Sequence, residues 1–174
     1  CIWCQMSVSL IKIDEEIVSS AVASVTLTGV DSTYDVYMVK YNNYKPATDT
    51  QVFKFRFTEG GTPNTTANYD MAHKVLTADV AFGNMDYTNQ TFIRGLTLGN
   101  QTGENANGIL YLFNMNSTTE YAFCTLETTT FGSNSQNNGA AGGGVLTVTG
   151  TARDGIQFFF DSGNIASGTF TLYG

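Results

Sequence analysis

The chain has 174 residues, only 13% of them charged, and a formal net charge of −7. Its eight Lys and Arg are scattered among fifteen Asp and Glu, which argues against binding nucleic acid through phosphate contacts, since these need clustered cations. The length fits one domain with one core, burying roughly 70% of the unfolded surface, and no run of about 20 apolar residues suggests a transmembrane helix.

Residues 1–6 read as an N-terminal extension and 7–174 as the folded domain. The opening "CIWCQMSVSLIKIDEE" lacks the long apolar stretch and cleavage site of a secretory signal. Cys1 and Cys4 form a lone Cys-x-x-Cys, half of what a zinc site needs, and are expected as reduced thiols. Asp14, Glu15 and Glu16 read as a solvated face.

The first strand falls in "SAVASVTLT", where Ala21, Ala23, Val25 and Leu27 alternate with polar residues. "TYDVYMVKYNNY" has apolar side chains of both parities, Tyr34, Val36 and Met38 against Tyr37, Val39 and Tyr41, and reads as a strand covered on two sides or lying at an intersubunit surface. "QVFKFRFT" alternates sharply, with Phe53, Phe55 and Phe57 opposite Lys54 and Arg56.

"NYDMAHKVL" fits a strand through Tyr69, Met71, His73 and Val75, with a helical face of Met71, Val75 and Leu76 as the alternative; residues 78–102 are weakly patterned, and "GNMDYTNQT" within them reads as an ordered loop. A hairpin is expected from Ile109–Met115 and a run beginning at Tyr121, turning at Asn116–Thr119. The glycine-rich "GSNSQNNGAAGGG" reads as a long flexible loop. Three strands follow, at Val145–Thr149, Ile156–Asp161 and Thr169–Tyr173. About eight strands without a helix predict an all-β fold, a single-domain jelly-roll-like β-sandwich.

Catalytic grammar is sparse. His73 is the only histidine, and no G-x-S-x-G or H-E-x-x-H motif is present. The pairs Glu120 with Glu127 and Asp154 with Asp161 are seven residues apart, a spacing that puts the members of each pair on opposite faces of a regular strand, unsuited to paired acid and base work. "GAAGGG" lacks the Lys and Ser or Thr of a phosphate loop, and no calcium-loop motif occurs. No catalytic residue, metal ligand or cofactor is expected.

Candidate contact residues remain. Tyr41 and Tyr44 flank Asn42 and Asn43, a combination able to stack on a sugar and bond its hydroxyls; tyrosines covering the sandwich edge are the alternative. Phe159 points away from Ile156, Phe158 and Phe160, so with Tyr37 and Val39 it is a candidate subunit contact.

The segments "SLIKIDEEIVSSAVASVTLTGVDSTYDVY", "FRFTEGGTPNTTANYD" and above all "GIQFFFDSGNIASGTFTLYG" resemble a family of tailed-bacteriophage virion proteins found in phages of marine bacteria, described as structural proteins, tail fibres or head decorations. The resemblance runs from about Ser7 to the end. It implies a turn built by Ser162 to Gly168 and a last strand at Thr169 to Tyr173. It further implies a non-enzymatic component of the virion surface, assembling with itself as a trimer and with other virion proteins, and possessing no catalytic residue. A host-attachment module binding surface glycans is the other expectation, with neither nucleic acid nor membrane as partner.

Overall fold

The computed structural model describes residues 9–78 and 82–174; the extension at 1–6, with Cys1 and Cys4, lies outside them. The described residues form thirteen strands and no helix: β1 (Lys12–Val18), β2 (Ser24–Thr28), β3 (Val36–Pro46), β4 (Gln51–Glu59), β5 (Thr62–Pro63), β6 (Tyr69–Thr77), β7 (Gly83–Gln90), β8 (Ile93–Leu98), β9 (Ala106–Phe113), β10 (Ala122–Phe131), β11 (Asn137–Leu146), β12 (Gly155–Phe160) and β13 (Ile165–Tyr173).

An eight-stranded sheet runs in the order β1-β13-β3-β9-β10-β11-β6-β7, and a five-stranded sheet in the order β2-β12-β4-β5 with β8 also on β4. The two antiparallel sheets pack face to face as a β-sandwich.

Alternation decides which side chains fill the gap. From the small sheet come Phe53, Phe55 and Phe57 of β4, Ile156, Phe158 and Phe160 of β12, and Val25 and Leu27 of β2. The large sheet answers with Tyr37, Val39, Tyr41 and Tyr44 of β3, Leu110 and Leu112 of β9, and Phe170 and Leu172 of β13. Each such large apolar side chain contributes about 1.5 to 3 kcal/mol on burial.

Strand β3 is not covered on both sides. Its inner face is Tyr37, Val39 and Tyr41, while Val36 and Lys40 are exposed. The other parity, Val36 and Met38, is apolar surface on the outer face. A bulge follows: Asn43 has φ of 52°, and the register moves from Tyr41 opposite Gly108 to Tyr44 opposite Ala106. The extra residue flips the parity, so Tyr44 and Pro46 turn inward after it.

Several stretches not expected as strands are strands. Residues 83–90 form the edge strand β7 on β6, and 93–98 form β8 on β4. Asp14, Glu15 and Glu16, read as a solvated face, lie in β1, which pairs with β13 and leaves Glu15 and Glu16 exposed. The turn expected over Ser162–Gly168 is shorter, because β13 already begins at Ile165, and of the strand expected at Val145–Thr149 only Val145 and Leu146 are strand, at the end of β11. The hairpin of β9 and β10 is present, with a connection covering 114–121.

The largest departure is the glycine-rich stretch. Residues 137–146 lie between β10 and β6, paired residue for residue with both. Glycines suit this position because the neighbouring backbones leave no room: a Cβ on Gly142 would sit 2.2 Å from the Ala72 carbonyl oxygen, and one on Gly143 2.7 Å from that of Cys124. A strand without side chains has no alternation to display, so it resembles a loop in sequence.

Gly142→Ala should therefore lower stability by about 1 to 3 kcal/mol in urea unfolding. Gly83→Ala, where a Cβ would meet Val75 at an ordinary 3.7 Å, should change the midpoint little. Equal midpoints for both variants would contradict the central position of β11.

Candidate functional site

The expected glycan contact is not on the surface. The Tyr41 and Tyr44 rings are fully buried, and Tyr44 packs against Phe53, Phe160 and Phe170 with centroids 5.3, 4.7 and 5.0 Å away. The Tyr44 hydroxyl donates to the Phe159 carbonyl at 3.1 Å, which ties the two sheets together. Of that quartet only Asn43 is exposed and Asn42 half-buried; Asn43 N–H donates to Asn107 Oδ1 at 3.0 Å and so holds the bulge.

Tyr37 and Val39 are also core residues, so neither offers a subunit contact; the Tyr37 hydroxyl donates to the Asp31 carbonyl at 2.8 Å. Phe159 does face outward, but its partners are in its own chain. The Arg56 guanidinium lies 4.3 Å from its ring centroid, and Phe92 meets it edge-on at 6.2 Å.

The ionisable groups largely serve the fold. Asp154 accepts from Thr58 Oγ1 at 2.5 Å and from Gly61 N–H at 2.6 Å, while Asp161 accepts from Val52 N–H at 2.7 Å. Asp31 accepts the Thr33 N–H, and that hydrogen bond holds its carboxyl below the usual range. Buried Arg153 lies 3.1 Å from Glu59 and donates to the Val148 carbonyl at 2.6 Å. Burial pushes the Cys124 thiol up to about 12, leaving it a packing group of β10. No group of three or more His, Cys, Asp and Glu able to hold a metal ion occurs among the described residues.

Two outward faces carry the features that sequence reasoning missed. On the large sheet the register aligns Val36, Phe113 and Phe123 in one row and Met38, Tyr111 and Thr125 in the next. Beside them opens a groove of about 680 Å³. Gly143 and Ala72 are cross-strand neighbours there, Phe123 and Val145 stand on one side, and Asp70 and Asp86 on the other. It is open because Gly143 and Ala72 add almost no side chain. The second face, on the small sheet, brings Lys54, Arg56 and Arg94 together with Phe92 and Phe159. Its signal was partly visible, since Lys54 and Arg56 share one side of "QVFKFRFT".

Compared with known protein families, with curated protein sequences and with solved structures, the chain finds no match.

His73 is 5% exposed, and neither ring nitrogen has a hydrogen-bond partner. Burial lowers its pKa below the ordinary 6.5, so on acidification the unfolded chain takes up the proton first. The stability held by the neutral imidazole is present above pH 6.5 and is lost as pH falls through the window below it. Urea midpoints should drop from about pH 6.5 toward pH 5, and His73→Leu should flatten that part of the profile. An unchanged slope in the variant would show that other groups set it.

Proposed function

We propose that this chain is a non-enzymatic structural protein of a tailed-phage virion, displayed on the particle surface at head or tail. It assembles with copies of itself and with neighbouring virion proteins through the outer face of the eight-stranded sheet.

The observation that carries this reading is the apolar field on that face. Val36, Tyr111 and Phe123 are 41, 44 and 43% exposed, and Met38 and Phe113 fill the positions between them. Contiguous apolar surface of this kind marks an interaction site in a folded protein. No charged residue interrupts the two rows, so covering them requires no ion to be stripped of water.

The resemblance to virion proteins adds support from the other end of the chain. Its strongest segment spans β12, the crossing at 161–164 and β13. That crossing carries the chain from the small sheet to the large one, and Phe158 and Phe170 meet across the gap at 5.1 Å. A trimer is the assembly that the resemblance implies, and a closed ring of like contacts is a common oligomer geometry.

Light scattering of the purified chain should give a trimer mass, and Tyr111→Glu with Phe123→Glu should shift it to monomer with the β circular dichroism retained. Mass spectrometry of purified particles should detect the polypeptide; its absence would overturn the virion assignment, and a monomeric wild type would remove the assembly part alone.

A second reading, host attachment through a neutral glycan, is favoured by the groove beside Phe123. A sugar face packs on an aromatic ring while carboxylates such as Asp70 and Asp86 accept its hydroxyls. Glycan-array binding lost in Phe123→Ala and kept in Asn43→Ala would support it; binding unaffected by Phe123→Ala would dismiss the groove.

A further inference from the structure

The chain has only eight basic residues, yet Lys54, Arg56 and Arg94 converge on the outer face of the five-stranded sheet, opposite the proposed assembly face. Lys54 and Arg94 are direct cross-strand partners on β4 and β8. Like charges placed so in an antiparallel pair cost stability, a cost offset only in part by their contacts with aromatic rings, while the core-facing side chains of these strands, among them Phe53, Phe55, Phe57 and Ile93, are apolar. Arg94 Nε is buried and has no hydrogen-bond partner, an expensive omission for a charged donor.

Both side chains line a small cavity of about 90 Å³ that Tyr87, Gln90, Phe92 and Asp161 also border. Lys54 Nζ lies 4.2 Å above the Phe92 ring, and the Arg94 guanidinium stands 5.8 Å from the Tyr87 centroid. Desolvation lowers the Lys54 pKa, Asp161 opposes that change and Arg94 reinforces it. Asp161 is the acid of the lining, and one of its oxygens already accepts the Val52 N–H. One carboxylate against two cations leaves one positive charge at the cavity, beside an Arg94 Nε that has no hydrogen-bond partner.

We propose that this pocket binds a single oxyanion, a carboxylate or a sulfate, through Lys54 and Arg94. Guanidinium geometry matches the paired oxygens of a carboxylate or a sulfate. The cavity holds one small group, well short of the roughly 300 to 1,000 Å³ of pockets that enclose a whole ligand. A larger molecule would place its anionic group inside and rest its body on the Phe92 and Phe159 rings outside. An acidic saccharide and a free inorganic anion share this chemistry.

Calorimetric titration of the full chain at constant ionic strength, with sodium sulfate and with trigalacturonate as probes, tests the site. Saturable binding is expected, weakened at least about tenfold by Lys54→Met and by Arg94→Gln, as loss of one charged hydrogen bond dictates. Lys74→Met, which removes the same charge from the other sheet, should leave it unchanged. Trigalacturonate binding at least tenfold tighter than sulfate would identify a saccharide-borne group, and equal affinities a free anion.

Without ligand, Lys54→Met should match or exceed wild type in urea midpoint, because the opposed charges are relieved; this variant remains decisive should Arg94→Gln fail to fold. No saturation with either probe, or equal affinities for Lys54→Met and Lys74→Met, would overturn the site. Particle association and oligomer mass report on the other sheet, so failure here and failure of the virion reading are separate results.

Discussion

The interdigitation of aromatic rings between the two sheets is the constraint on which the remaining structure depends. Tyr41 and Tyr44 descend from β3 into a layer formed by Phe53 and Phe55 of β4, Phe158 of β12 and Phe170 of β13. Edge-to-face and tilted contacts between such rings add to the stabilisation from burial alone. Tyr41 and Tyr44 can both enter only because Asn43 inserts one residue into β3. A regular strand would have sent one of them to solvent, leaving a hole in the densest part of the core.

That layer also explains the distribution of polar groups. With the interior filled by rings, carboxylates are placed at the ends of strands, where Asp154 and Asp161 bracket β12 and tie it to the chain segments beside it. Such bonds satisfy backbone donors that strands leave free at their ends. The side chains available for contact are then those on the two outward faces, and the faces differ in kind. The large sheet presents apolar rows and a glycine-floored groove, suited to covering a broad partner surface. The small sheet presents stacked cations around a narrow cavity, suited to one charged group. An acidic chain that keeps three of its eight cations together maintains a local field opposite in sign to its overall charge.

Much of the architecture was legible wherever alternation survived. Phe53, Phe55 and Phe57, then Ile156, Phe158 and Phe160, announced their strands and inner faces directly, as did the hairpin of β9 and β10. The apparent two-sidedness of β3 arose because Val36 and Met38 are apolar residues on its outward face, and sequence alone does not mark the bulge at Asn43 after which Tyr44 turns inward. Residues 137–146 were hidden for a different reason, since glycine carries no polarity to alternate. Strand β7 was hidden because an edge strand exposed on most of its length has little need of apolar side chains.

By itself the sequence determined the class of fold, the acidic balance and the aromatic composition of the core, because these follow from local period and from the sum of side chains. Which aromatics are buried and which exposed, and which charges become neighbours, was decided only in three dimensions. Tyr41 and Tyr44 are core while Tyr111 and Phe123 are surface, and Lys54 meets Arg94 across 40 residues of chain. Cross-strand register sets these outcomes, and register depends on bulges and on the pairing of distant strands, neither of which leaves a periodic trace in the order of residues.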